Sequence, residues 1–445
     1  MSDRLSRAIF WSADAIFGPW TMALLLGTGL FLTIRYRFVQ VRRFGEALRT
    51  LAPPAEAGTA GALSPFQAFM TALAASIGTG NIAGVATAVV SGGPGAVFWI
   101  WCYGFFATTI KFTEAVLGLR FRRAEAAVLA TGPMHYLRDG LGMPRLAWLY
   151  ALVAGVACLT TTPFTQPNSI AVVLESEFGA PTWASGLLVA VLAWLVIIGG
   201  ITSIGRAAEK LAPLKVGLYV LGGLAVILAH ADRIPDTLAL IVREAFSTRA
   251  AAGGGLGMLV AMRYGLARGI YANEAGYGTA AVAYGTARSR QPVQQGLNAV
   301  VEVFIISCVT SSISALTILL SGVWRSGATS TAVVAEAFNT TMPALGGWVV
   351  AFCAFLFGYT TLIGWAYYGE QFLQYVFGPS IVKPYRWTYC GLILVGATSK
   401  VDLVWAWGDL MNGLQIFPNL VGVIGLSGVA AAMLREHAAS RARSA

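Results

Sequence analysis

The chain has 445 residues, of which 57% are hydrophobic and 11% charged, against roughly 45–50% and about 25% in soluble chains. So few charges cannot clothe a soluble body of this length, so the apolar excess must face lipid; a soluble enzyme, a disordered chain and a collagen-like repeat are excluded. The net charge of +10 resides in arginines that fall between apolar runs, as in the cytoplasmic loops of a multi-pass membrane protein rather than in a nucleic-acid binder.

A spanning helix needs about 20 mostly apolar residues. In chain order eleven stretches qualify: 17–34, 66–90, 94–118, 147–173, 183–201, 211–229, 255–285, 299–323, 346–376, 386–399 and 403–433. The first is not a cleavable signal peptide, since its apolar run is long and no small-residue cleavage site precedes the basic Arg35–Arg43 cluster. With the N-terminus outside, inner loops and the tail collect 19 Lys and Arg while outer segments, among them Arg233, Arg243 and Arg249, collect 7. That asymmetry predicts an outside N-terminus and a cytoplasmic C-terminus. Lys111, Lys215, Arg263 and Arg268 remain within or at the ends of spans. The five cysteines sit in or beside apolar runs without paired spacing and read as small hydrophobes, not as disulfides or metal ligands.

Two stretches do not read as simple lipid-anchored helices. The second holds Ser76-Ile77-Gly78-Thr79-Gly80-Asn81-Ile82-Ala83-Gly84, followed by Ser91-Gly92-Gly93-Pro94-Gly95. Either these small residues serve close helix packing, or the helix is interrupted at Gly78–Asn81, which membrane-depth backbone tolerates only when buried in protein or lining a watery cavity. The seventh holds Arg268-Gly269-Ile270-Tyr271-Ala272-Asn273-Glu274-Ala275-Gly276-Tyr277-Gly278. An Asn-Glu pair here is costly in lipid and marks function; the bland alternative is a salt bridge from Glu274 to Arg268 or Arg263. Setting the first stretch aside, the two anomalies fall on helices one and six of a ten-helix core. Glycine-interrupted segments at corresponding places in two five-helix halves predict an inverted-repeat secondary transporter with a midplane site. Freed amides suit a carboxylate and freed carbonyls a small cation.

Thr71-Ala72-Leu73-Ala74, Gly78-Thr79-Gly80-Asn81-Ile82-Ala83-Gly84-Val85-Ala86 and Gly92-Gly93-Pro94-Gly95-Ala96 resemble the alanine or glycine:cation symporter family. Further segments recur in order over roughly 15–430, among them Thr131-Gly132-Pro133-Met134, Asn273-Glu274-Ala275-Gly276, Gln295-Gly296-Leu297 and Asn412-Gly413. The resemblance implies an all-α polytopic membrane protein of about eleven transmembrane helices, with a leucine-transporter-like 5+5 inverted repeat behind one extra N-terminal helix. It divides the chain into 1–64 (extra helix and basic loop), a core at 65–434 with halves near 65–230 and 255–434, and a tail at 435–445. It implies symport of a small neutral amino acid such as alanine, glycine or serine into the cell, coupled to sodium as co-substrate or in some members to a proton. The protein would thus be a cell-membrane carrier without a cofactor or nucleic-acid partner.

Carried over by position, the resemblance implies substrate contacts from Gly78, Thr79, Gly80, Asn81, Gln166, Asn168, Tyr271, Ala272, Asn273, Gly276, Thr361 and Trp365. It implies sodium ligands from Ala75, Gly78, Thr360 and Thr361, with coupling or gating at Glu274 and Glu302. The residues leave alternatives open: Thr360 and Thr361 could instead back-bond to the preceding turn, Gln166 could glue two helices, and Trp365 could be a packing residue. The sequence also departs from the family. Members commonly carry Asp-Thr after a Val-Phe-Ile run, whereas Val303-Phe304-Ile305 is followed here by Ile306-Ser307. Glu302, one turn earlier on the same face, either replaces the lost acid or snorkels at the inner mouth. Pro163 and Pro167 flank Gln166, and Tyr284 stands where a histidine is usual. A membrane enzyme is disfavoured, because His135, His230 and His437 are scattered and no His-Glu-x-x-His or Gly-x-Ser-x-Gly run occurs. A transport-like sensor is the remaining rival, and the absence of a long soluble output segment in the sequence favours a carrier over it.

Overall fold

The computed structural model describes residues 3–51, 58–125, 128–248 and 257–444; Arg249 and the first two residues of the seventh expected span lie outside these. Every expected span falls on helix, with shifted ends. Among the described residues, five helices are long and apolar enough to cross a membrane by length and composition: Ser6–Arg35, Pro144–Phe178, Gly200–Ala229, Pro292–Ser321 and Gly346–Phe377. Two bent pairs raise this to as many as seven: Pro65–Ser76 with Thr79–Gly92, turned by 59°, and Val401–Gly425 with Ser427–Arg441, turned by 50°. Ala96–Arg120, Thr182–Ile197, Gly257–Asn273 and Val382–Thr398 are further helices. Elements not anticipated are the N-terminal Asp3–Ile16 helix, Ile234–Ala245, Ser330–Thr341 and a two-stranded hairpin, Arg123–Glu125 with Val128–Ala130.

The protein is inverted relative to a soluble one. Large apolar side chains stand on the outside, with Trp20 and Leu228 82% and 69% exposed, while Lys111, Glu114, Lys215 and Glu302 are buried. An apolar surface of this kind needs a lipid partner, and the chain is a multi-pass membrane protein. Ala96–Arg120 packs against Pro292–Phe304 and Gly257–Asn273, and Gly346–Phe377 against Pro144–Thr160 and Gly200–Ala229. The first broken segment touches both groups, and the second belongs to the first group, with Thr279–Gly285 packed on Ala96–Arg120 and Pro65–Ser76. On one face Arg263 pairs with Asp14 of the N-terminal helix; elsewhere Glu46, after the first span, pairs with Arg43 and with His437 and Arg441 of the C-terminal helix.

Candidate functional site

The first broken segment starts with a capping box. Ser64 Oγ accepts from Gln67 N and the Gln67 side chain accepts from Ser64 N, with Pro65 at the first helical position. The helix runs to Ser76, opens at Ile77 and Gly78, makes a tight turn at Thr79–Asn81 and resumes at Ala83. Gly78 N turns back to Ser76 O at 2.9 Å, so Ala74 O loses its helical donor. Ala74 O accepts instead from Thr360 Oγ1 (3.1 Å), Thr361 Oγ1 (3.2 Å) and Lys215 Nζ (2.9 Å).

The second break runs from the helix end at Asn273 to the restart at Thr279. Gly276 and Gly278 have φ of +96° and +85°, and Glu274 takes φ +56°. For a glutamate that left-handed conformation is a strain of the kind that clusters at functional sites. The freed amides of Gly276 and Gly278 both donate to Glu114 Oε1, at 3.0 and 3.1 Å. Asn419 Nδ2 joins them at 2.7 Å and also bonds Gly276 O.

Between the breaks lies a hollow walled by Ser76, Gly78, Gly80, Thr161, Thr162, Gln166, Tyr271, Glu274, Tyr277, Thr361, Trp365 and Asn412, all of them buried. Its free volume is about 10 Å³, room for about one water, so a ligand is admitted only when the walls part. Glu274 puts a carboxylate at its wall, held by Trp365 Nε1 at 2.7 Å and Thr279 Oγ1 at 3.0 Å. Gln166 Oε1 accepts from Thr79 N and Thr79 Oγ1 at 2.9 and 3.0 Å. Next to Tyr271, whose ring meets Trp405, the Arg268 guanidinium lies over Trp405 and pairs with Asp409 at 3.1 Å.

A buried ion pair ties the two breaks together. Lys111 Nζ donates to Glu302 Oε1 (2.6 Å), to Ser76 Oγ at the first break (2.8 Å) and to Asn273 O at the second (2.8 Å). Glu302 also accepts from Ser76 Oγ at 2.9 Å and from Tyr284 OH at 2.8 Å. Tyr284, where a histidine was expected, thus bonds Glu302 directly. Glu302 is 0% exposed, which excludes a snorkelling charge. Its helix changes to π-turns at Ile305–Thr310, as helices often do at functional sites. Ser307 and Thr310 in that stretch, with Ser311 beyond it, bond Asn273 Oδ1 and Asn81 Oδ1.

Of the residues expected from sequence, Gly78, Gly80, Gln166, Tyr271, Glu274, Thr361 and Trp365 meet at the hollow. Thr79 and Asn81 stand behind it: Thr79 holds Gln166, and Asn81 fixes the break to the π-stretch. Asn168 points elsewhere, donating to Gly396 O and Ser399 O at 3.1 and 2.8 Å. Two residues along a helix is about 200° of rotation, so Asn168 cannot share the face of Gln166. Ala272 is packed in the core, and Asn273 and Gly276 serve the supporting network. Near Thr360 the bonded carbonyls are those of Ala74 and Ile77, not Ala75 and Gly78, because the helix unwinds one residue earlier than the sequence register implied. Ala75 instead packs against Gly364. Glu274 makes no salt bridge to Arg268 or Arg263, which pair with Asp409 and Asp14. Sequence reading missed Ser76, Thr161, Thr162, Tyr277 and Asn412, and with them Lys111, Glu114 and Lys215. A charge in the middle of an apolar run was the available signal for these last three.

The sequence profile described as "Sodium:alanine symporter family" matches residues 2–445. An uncharacterized transporter of Haemophilus influenzae is 39% identical over 420 residues, covering 92% of this chain and 91% of that protein. The sodium/alanine symporter AgcS of Methanococcus maripaludis is 37% identical over 424 residues, covering 93% of each. Among solved structures, a manganese transporter of Eremococcus coleocola superposes with a TM-score of 0.56 over 85% of this chain and 83% of that one, at 14% identity. That last likeness concerns the fold alone.

Proposed function

The chain belongs to the sodium:alanine symporter family, and on that premise we propose that it carries a small neutral amino acid (alanine, glycine or serine) into the cell together with a cation. It is a transporter, not an enzyme. We read the fold as eleven spans, an extra N-terminal helix followed by a ten-helix core whose halves, near 65–230 and 255–434, are inverted repeats each opened by a broken helix. The N-terminus lies outside and the C-terminus in the cytoplasm. Loop charge supports that orientation.

One observation carries this reading: both broken segments wall the same hollow, which pairs the carboxylate of Glu274 on one side with the unwound backbone at Gly78–Gly80 on the other. A zwitterion fits that polarity. Its ammonium faces Glu274, its carboxylate faces the Gly78–Gly80 backbone with the Thr161 and Thr162 hydroxyls near, and a short side chain meets Trp365. Walls this close, with about 10 Å³ left between them, favour a short side chain such as that of alanine or serine. Alternating access then rocks one helix group against the other around the fixed site. One positive charge falling through 100 mV supplies about 2.3 kcal/mol, and a tenfold ion gradient about 1.4 kcal/mol more. Together they sustain accumulation of roughly several-hundredfold per coupled ion. Uptake of radiolabelled alanine into proteoliposomes under imposed sodium or proton gradients tests the proposal. Saturable accumulation, blocked by unlabelled glycine and serine but not by leucine, is expected. Accumulation absent under every gradient, or blocked equally by leucine, would refute it.

A further inference from the structure

Lys215 sits in the apolar Gly200–Ala229 helix with 0% exposure. Its Nζ donates to Ala74 O (2.9 Å), Ile77 O (2.6 Å) and Thr360 Oγ1 (2.5 Å) and lies 5.3 Å from the Phe357 ring centre. A lysine ammonium has three donors, and all three are used on the unwound end of the first broken segment and on the helix that faces it. Thr360 is one of the residues that the family resemblance assigns to a sodium ion between core helices one and eight, and the two carbonyls each lie one residue before the ones it assigns. We propose that the Lys215 ammonium takes the place of that ion, so that the cation this protein carries with its amino acid is a proton held on Lys215. The inference rests on the symport reading above and deepens it.

The two buried lysines differ in a way that matters. Lys111 has a carboxylate partner, Glu302, at 2.6 Å, whose charge compensates its own in every protonation state that keeps the pair. Lys215 bonds only neutral oxygens. A buried ammonium without a counter-charge holds its proton only while its acceptors are in place, because desolvation otherwise favours the neutral amine. Those acceptors lie on two elements, Pro65–Ser76 with its unwound end and Gly346–Phe377. Any opening that parts these elements removes them and releases the proton, and closure around substrate demands it back. Protonation and closure are thereby linked.

None of the charged neighbours is a hydrogen-bond partner of Lys215. Pro65–Ser76 and Thr182–Ile197 carry no ionisable side chain. Gly346–Phe377 carries Cys353, four tyrosines and Glu370, and the carboxylate of Glu370 is paired with Arg386. Ser330–Thr341 carries Glu336, which bonds Ser326, and Pro292–Ser321 carries Cys308 and Glu302, the latter paired with Lys111. On its own helix Tyr219 bonds Ser314, and Arg206, Glu209 and Lys210 lie toward the N-terminal end. The carboxylate that acts on Lys215 through space is Glu274, in the wall of the substrate hollow. In the cycle, the neutral amine takes a proton from outside water and the ammonium returns it to inside water. Only an N–H bond forms and breaks, and one positive charge crosses with each neutral amino acid.

The full-length protein in proteoliposomes, with radiolabelled alanine as the probe, tests this. In sodium-free buffer an inward proton gradient should drive accumulation, and an inward sodium gradient at equal pH should add nothing. Lys215→Met should bring the inside-to-outside ratio down to one under the proton gradient. Lys215→Ala vacates three oxygens suited to a hard cation, so sodium should raise its thermal unfolding midpoint while leaving that of the wild type unchanged. Wild-type uptake driven by sodium and indifferent to pH would overturn the inference, as would undiminished proton-driven accumulation by Lys215→Met. Failure of the wild type to take up or exchange alanine, glycine or serine under either gradient would refute the symport reading instead. The sodium-dependent unfolding of wild type against Lys215→Ala would still decide who fills the cluster, and stabilisation of the wild type by sodium would overturn the inference.

Discussion

Replacing Lys111 with methionine keeps the length and the apolar stem of the side chain and deletes its charge. Glu302 is then left at 0% exposure with only the hydroxyls of Ser76 and Tyr284. Breaking a buried ion pair by removing one partner costs about 3–5 kcal/mol, and Asn273 O, which loses its 2.8 Å donor, adds about 1–3 kcal/mol. Lys111→Met should therefore destabilise by about 4 kcal/mol or more. Glu302→Gln alone leaves an uncompensated ammonium and should cost about as much as breaking the pair from the other side, about 3 kcal/mol or more. The double variant removes both charges, and the glutamine amide can accept from one of the two hydroxyls and donate to the other, so it should recover at least about 2 kcal/mol of the summed losses, within the range measured for residues in one network. Equilibrium unfolding of the purified protein in mixed micelles reads all four corners of the cycle. Losses that add within about 0.5 kcal/mol would mean the two side chains do not interact, and the bridge between the two breaks would have to be abandoned.

Three further expectations follow from the geometry. A Cβ on Gly80 would lie 2.8 Å from Tyr271 Cδ1; overpacking of this kind costs about 1–3 kcal/mol, so Gly80→Ala should cut alanine uptake at low concentration by at least about fivefold. Gly217→Ala, with nothing within 4 Å of the added carbon, should not, and equal effects would show that the hollow is not the site. Asn168→Ala should lower thermal stability by freeing Gly396 O and Ser399 O yet leave the KM for alanine unchanged; a raised KM would put Asn168 back at the substrate. Burial opposes the charge of Glu46, but hydrogen bonds from His437, Arg43 and Arg441 prevail and hold its pKa down at about 2. A depressed carboxylate contributes stability above its ordinary pKa and loses it as pH falls through the folded value. Probes at Gly45 and Ala439 should therefore keep their separation down to about pH 4.5 and part as pH approaches about 2. Separation already at neutral pH would refute the docking.

The two helix breaks were legible in the sequence because their cause is local. Gly78, Gly80, Gly276 and Gly278 mark backbone that a helix cannot keep cheaply, and the residues beside them, with Gln166, Thr361 and Trp365, do converge on one hollow. The helices were legible for a similar reason, since each follows its own run of apolar side chains, and five to seven of them among the described residues are long and apolar enough to span. The departure at Tyr284 was visible too, but its bond to Glu302 was not.

What fills each orphaned peptide group was decided only by the tertiary structure. Glu114 caps amides 162 and 164 positions away, Lys111 reaches Asn273 O over 162 positions, and Lys215 holds carbonyls 141 and 138 positions back. The sequence fixes that such groups must be paired somewhere, because lipid offers no water to satisfy them. Which side chain arrives depends on how helices cross, and a single chain read end to end carries no record of that. The face on which Asn168 turns away from Gln166 and the lysine found on Thr360, an expected sodium ligand, are both products of packing.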